Sequence, residues 1–240
     1  MKVIYNGSAD PKGFKDVLGA QIPEMLESNP DLIYLDADLM SCLGTAKYAK
    51  NHPDRAINVG IAESNMAGIA AGLAAAGFKP ICHSFGPFAS RRCFDQVFMS
   101  CRYAHNDITM IGTDPGVTAG YNGGTHMPFE DVALYRALPG ATIIDAAVID
   151  MFTIKPLDEA LVIEYAKKTG CVVTAENHNK IGGLFSAVAD CLIQNCPVPT
   201  VYVAVEDEYG EVGPVDYLAE RFGLTIDHIV EVAEKTVAKK

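Results

Sequence analysis

RAINVGIAESNMAGIAAGLAAAG, running from Arg55 to Gly77, carries a strand-to-helix passage around which the rest of the chain can be ordered. It opens as a short β-rich run, INVG, then passes into a helical segment so dense in alanine and glycine that another backbone can approach it closely. Glu63 stands at the opening of that helix. On position alone it reads as a helix-start carboxylate favoured by the macrodipole, a common arrangement without functional content.

Outward from this segment, short β-rich runs alternate with longer helical patterns. The runs are LIYLD (Leu32 to Asp36), PICHS (Pro80 to Ser84), ITMIG (Ile108 to Gly112), ATIID (Ala141 to Asp145), CVVTA (Cys171 to Ala175) and TVYVAV (Thr200 to Val205). Helical spacing covers Phe14 to Glu27, Glu63 to Ala76, Phe88 to Cys101, Leu157 to Lys168 and Gly183 to Asn195. This alternation predicts an α/β fold of βαβ units: two domains with mainly parallel sheets flanked by helices.

The rhythm breaks once. In ATIIDAAVIDMFTIKP (Ala141 to Pro156) two strand-like runs, TIID and AVIDMF, are joined by about one residue, whereas parallel neighbours need a crossover of about a dozen or more. Ala146 offers no Gly, Asn or Pro turn chemistry for a tight antiparallel hairpin. Either the two runs form one long element or a portion of chain is absent. The domain boundary is set at Asp145/Ala146, giving domains of residues 1–145 and 146–240.

The 240 residues are 49% hydrophobic and 20% charged, enough to bury a large core. No apolar run reaches the length of a bilayer span and the amino terminus lacks a signal-peptide stretch, so a cytoplasmic location is expected. Seven cysteines, without CxxC or His-paired ligand spacing, read as reduced core thiols. A formal net charge of −11 argues against nucleic acid as a partner.

VGIAESNMAGIAAGLA, followed by a strand and SFGPFASRR (Ser84 to Arg92), resembles the pyrimidine-binding domain of transketolases. LDADL (Leu35 to Leu39) and GGTHMPFEDVALYRALPGATIID (Gly123 to Asp145) fall where that family has matching segments. MFTIKPLDEALV (Met151 to Val162) and TAENHNKIGGLFSAVAD (Thr174 to Asp190) resemble its carboxy-terminal domain, so the likeness spans nearly the whole chain. It implies thiamine diphosphate as cofactor, with Mg²⁺, and makes Glu63 the group that promotes tautomerisation of the cofactor's aminopyrimidine through N1′. Such a carboxyl should be poorly solvated and disposed to share a proton. Phe85 and Phe88 match positions that pack against the aminopyrimidine. Arg91 stands where many transketolases carry a further aromatic.

On the substrate side, His126 matches the family's GxTH histidine, able to donate to sugar hydroxyls or a carbonyl. Asp114 stands where histidine is common and Asn122 where aspartate is common, which changes donor and acceptor character. Lys15 falls near a phosphate-binding arginine, keeping the charge without the bidentate fork. Asp38 matches a family aspartate near the cofactor, although Asp36 and Asp38 read equally well as caps for a helix starting near Ser41.

The family's GDG motif, which holds the metal and through it the diphosphate, does not occur in this chain. No metal ligands are therefore assigned here. The resemblance implies the carboxy-terminal subunit of a split transketolase, paired with a separate diphosphate-binding amino-terminal subunit in an α2β2 assembly. It would transfer a two-carbon ketol group between sugar phosphates. A 1-deoxyxylulose-5-phosphate synthase, the β subunit of a 2-oxo-acid dehydrogenase, and a catalytically silent interaction subunit stay open as alternatives. A Rossmann nucleotide-binding module is weaker, since no GxGxxG follows a strand. The run-on at residues 145 and 146 further suggests an internal deletion of the last βα portion of the first domain and the first of the second.

Overall fold

The computed structural model describes residues 13–144, 151 and 153–239. Helix α1 (Phe14–Ser28) precedes strand β1 (Leu32–Asp36), short helices α2 (Met40–Leu43) and α3 (Ala46–Asn51), and β2 (Ala56–Asn58). Then come α4 (Glu63–Ala75), β3 (Lys79–Phe85), α5 (Gly86–Arg91), the single turn α6 (Phe94–Gln96), a π-helical turn (Val97–Tyr103) and β4 (Thr109–Thr113).

These four strands form one parallel sheet in the order β2-β1-β3-β4. Period-two alternation along β1 and β3 divides their side chains between two faces. Tyr34 and Ile81 pack with Ile22 and Leu26 of α1 and with Met40 and Leu43 of α2. Ile33, Leu35 and Cys82 pack on the other side with Met66 and Ala70 of α4. The sheet is thus covered on both faces, as parallel sheets require. Because β2 lies outside β1 while β3 and β4 extend the other way, the strand order reverses between β1 and β3. A crevice at the carboxyl ends of the strands is the expected ligand site at such a point.

Two 3-10 turns (Gly116–Ala119 and Gly123–Thr125) lead to α7 (Asp131–Arg136) and β5 (Ile143–Ile144). The second half contains β6 (Thr153–Lys155), α8 (Glu159–Thr169), β7 (Val172–Asn179), α9 (Leu184–Asn195), β8 (Thr200–Val205), α10 (Val215–Arg221) and α11 (Ile226–Val237). Strands β7 and β8 pair in parallel, with α9 as their crossover. Its start is built by Glu176 of β7, whose carboxylate accepts from the Leu184 and Phe185 amides at 2.6 and 2.8 Å. This occupies two of the amide groups a helix leaves unsatisfied at its first turn.

Several expectations are corrected. The helix read over Phe88 to Cys101 is interrupted: α5 ends at Arg91, and the chain resumes as α6 and the π turn. This break lets Cys93, Val97 and Cys101 share one cluster with Ala67, Ala71 and Leu138. Helices α10 and α11 add to the elements read from sequence. The proposed boundary at Asp145/Ala146 and most of AVIDMF lie outside the described residues. On either side of them β5 and β6 do pair antiparallel, Ile143 with Lys155 and Ile144 with Thr153. Ile144 remains exposed.

Candidate active site

Glu63 is the first residue of α4 and only 3% exposed. The turn after β2 delivers it under β3, where the Ser84 hydroxyl donates to Oε1 at 3.1 Å. Arg92, just beyond α5, donates from one guanidinium nitrogen to both oxygens, at 3.2 and 3.3 Å. A buried carboxylate without such partners would cost several kcal/mol. The carboxylate is therefore positioned by one neutral and one cationic donor.

Beside it stands an aromatic wall. Phe85 ends β3, Pro87 sits in the opening turn of α5, and Phe88 lies one turn on, so both rings are placed by the same strand-to-helix corner. Their centres are 6.2 Å apart, and the His126 ring meets Phe85 edge-on at 5.9 Å and Phe88 at 5.0 Å. Such edge contacts are each worth about 0.5–1.5 kcal/mol beyond burial. His126 Nδ1 lies 2.9 Å from the Thr125 hydroxyl, which fixes the ring's rotation.

Lys15 reaches the same corner from α1. Its ammonium forms a 2.8 Å ion pair with Asp114 and lies 5.7 Å from the Phe85 ring centre. Asp114 adopts φ +57, a left-handed conformation that aspartate tolerates better than most residues. Phe85, Phe88, His126, Lys15 and Asp114 are thus linked in one chain of contacts at the carboxyl edge of the sheet, and Arg92, over the Phe88 ring, connects them to Glu63. Asn122 stays exposed on the His126 loop, its carbonyl accepting from the Thr125 hydroxyl. Asp38 is held apart: its carboxylate accepts from Asn58 at 2.9 Å, and it borders a shallow groove with Met40, Ser41 and Lys50. Arg91 turns away to Glu130, at 2.9 Å, and does not replace the missing aromatic.

Sequence reasoning missed Ser84 and Arg92 as partners of Glu63, although both lie in the quoted SFGPFASRR. It also missed the fully buried pair of Asp36 and His83 behind the wall, at 2.7 Å. Among the described residues no group of three or more His, Cys, Asp and Glu side chains is arranged to hold a metal ion.

The pyrimidine-binding domain of transketolases matches residues 11–162, and the transketolase carboxy-terminal domain matches residues 136–229, so the two overlap across the junction. The chain is 38% identical to the 6-deoxy-6-sulfo-D-fructose transketolase subunit SqwH of Clostridium sp. (strain MSTE9). That alignment runs over 296 residues and covers 90% of this chain and 92% of the relative. It therefore includes tens of residues of the relative with no counterpart here. Mouse transketolase is 25% identical over 92% of this chain but only 48% of its own length. Among solved structures, a split gene transketolase described as an inactive β4 tetramer superposes with a TM-score of 0.82. It is 28% identical, with 93% of this chain and 98% of the other covered.

Proposed function

Because this chain belongs to the transketolase family, a thiamine-diphosphate-dependent family, we propose that it is the carboxy-terminal subunit of a split transketolase with Glu63 as its cofactor-activating group. One observation carries the reading: a buried carboxylate at the opening of a helix, joined through Arg92 to Phe88 of the aromatic wall at the carboxyl edge of a parallel sheet. A flat heteroaromatic ring with a nitrogen to share a proton suits that pairing of acid and wall. The residues present thus fit the aminopyrimidine half of thiamine diphosphate.

When bound, that cofactor supplies a nucleophilic carbon for two-carbon transfer. Glu63 would share a proton with the ring nitrogen, its carboxyl group oriented by the Ser84 hydroxyl. Phe85 and Phe88 would pack against the ring and exclude water there, which would strengthen the hydrogen bond from Glu63. His126 offers a donor to a substrate hydroxyl or carbonyl, its orientation set by Thr125 and the two phenylalanines. Lys15 provides the positive charge for an anionic end group of the sugar. A point charge suits sulfonate as well as phosphate, and the relative named for a 6-deoxy-6-sulfo sugar supports testing both.

The diphosphate and Mg²⁺ are assigned to a partner subunit, in keeping with the lack of GDG here. The outer stripe of α4 supports a docking face in an α2β2 assembly, since a Cβ built at Gly68 or Gly72 meets nothing within 4 Å. A cytoplasmic location suits seven cysteines that are all free. The short residue span between the domains, the overlapping family matches and the overlong alignment support an internal deletion that joins Asp145 to Ala146, between domains of residues 1–145 and 146–240.

The test mixes the purified chain with a diphosphate-binding amino-terminal transketolase subunit, thiamine diphosphate, Mg²⁺ and a ketose donor. Fructose 6-phosphate and 6-deoxy-6-sulfofructose serve as separate arms. Two-carbon transfer that is lost in Glu63→Gln supports the reading; full turnover by that variant removes Glu63 from the role. Assembly without any transfer would favour the interaction-subunit reading.

A further inference from the structure

Arg92 makes two contacts that belong together. Its guanidinium carbon lies 3.7 Å from the Phe88 ring centre, while one of its nitrogens donates to both oxygens of Glu63. A planar, delocalised, hydrogen-donating group thus stacks on the aromatic wall and pairs with the buried acid. An aminopyrimidine in this site would need the same two surfaces. We propose that Arg92 is a placeholder for the cofactor ring: it neutralises Glu63 and covers Phe88 in the cofactor-free subunit, and the ring binds by displacing it. This rests on the role of Glu63 given above.

The surroundings allow such an exchange. The Arg92 side chain is 45% exposed, so it can swing into water without stranding its charge in the core. Its backbone is held, because the Ser64 hydroxyl donates to the Arg92 carbonyl, so displacement needs only side-chain rotation. The Ser84 hydroxyl donates to Glu63 independently of Arg92. Other charged groups nearby are engaged elsewhere: Arg91 with Glu130, and Lys15 with Asp114. Displacing a group that fills the site reduces apparent cofactor affinity by the fraction of molecules left competent. With about one molecule in ten open, the reduction is about tenfold.

Two measurements test this. In the isolated full chain, Arg92→Met, Glu63→Gln and the double variant form a cycle read by thermal denaturation. Arg92→Met should lower the melting temperature of the wild type and change it little in the Glu63→Gln background; additive effects would overturn the pairing. In the chain reconstituted with a diphosphate-binding subunit and Mg²⁺, calorimetric titration of thiamine diphosphate should show Arg92→Met binding about tenfold tighter than wild type. Unchanged or weaker binding would overturn the placeholder, the weaker case making Arg92 a standing part of the pocket. If the reconstituted wild type failed to bind the cofactor at all, the functional reading itself would fall, and the placeholder with it.

Discussion

His83 Nδ1 lies 2.7 Å from Asp36 Oδ2, and both side chains are fully buried between β1 and β3, where the strand order reverses. The same carboxylate accepts from the Tyr34 hydroxyl at 2.6 Å and from the Leu39 amide at 2.5 Å, while His83 Nε2 reaches the Thr113 hydroxyl at 3.2 Å. Burial, and then the Asp36 charge, push the Tyr34 phenol far above its ordinary range, so it remains a donor. One polar network thereby ties β1, β3 and β4 together directly behind Phe85 and Asp114. Asp36→Ala would leave His83 and Tyr34 facing a buried gap. Removing one partner of a buried pair costs about 3–5 kcal/mol, and urea denaturation should show a fall in unfolding free energy of that order.

Lys15 and Asp114 make the opposite case. Their ion pair is partly exposed, and such pairs contribute about 0–1 kcal/mol. Lys15→Ala should therefore leave the urea midpoint nearly unchanged. If Lys15 meets the anionic end of the sugar, the same substitution raises KM for an anionic ketose and leaves that for a neutral ketose unaltered. An equal effect on both substrates would remove Lys15 from that role.

The contrast between these pairs also marks what the sequence made legible. Strands Leu32–Asp36 and Thr200–Val205, and the start of α4 at Glu63, follow from local alternation and appear as expected. Glu63, Phe85, Phe88 and His126 could be placed together because each sits in a recognisable segment. Asp36 and His83 stand 47 positions apart and meet only because β1 and β3 are sheet neighbours, which no local pattern states. Arg92 was hidden differently. A helix continuing past Phe88 would have set it on that helix's face, but α5 stops at Arg91, and Arg92, just beyond it, donates to Glu63. Helix α11 was readable, since Ile226, Ile229, Val230, Ala233 and Val237 recur at helical spacing.

The Gly182-Gly183 pair in ENHNKIGGLF has a local mechanical reason. A Cβ built on Gly183 would lie 1.9 Å from Glu176 Oε2, the oxygen that accepts from Leu184. Gly183→Ala must push that carboxylate off the start of α9. Losing a cap costs about 0.5–2 kcal/mol, and displacement of the charge adds to it. A fall in unfolding free energy of about 2 kcal/mol is expected, with Gly183→Ala/Glu176→Gln costing less than the sum of its parts in a double-mutant cycle.

The free thiols give a prediction with a defined pH window. Burial pushes Cys93 and Cys101 from the ordinary thiol value of 9.0 up to about 11, and pushes Cys82 higher still. All three lie wholly inside the core, whereas Cys42 is exposed. Since the thiolate is the reactive form, brief iodoacetamide treatment at pH 8 followed by peptide mapping should label Cys42 and spare Cys82, Cys93 and Cys101. The same shifts govern alkaline stability. Below pH 9 these thiols are protonated in both folded and unfolded chains and contribute no pH dependence. Between about pH 9 and 11 the unfolded chain releases protons that the folded chain retains, so the unfolded state gains and stability falls as pH rises. Each such thiol contributes a slope of up to about 1.4 kcal/mol per pH unit in that window. Cys93→Ala/Cys101→Ala should flatten the decline in urea midpoint from pH 9 to 11. An unchanged slope would mean that other groups carry the alkaline transition.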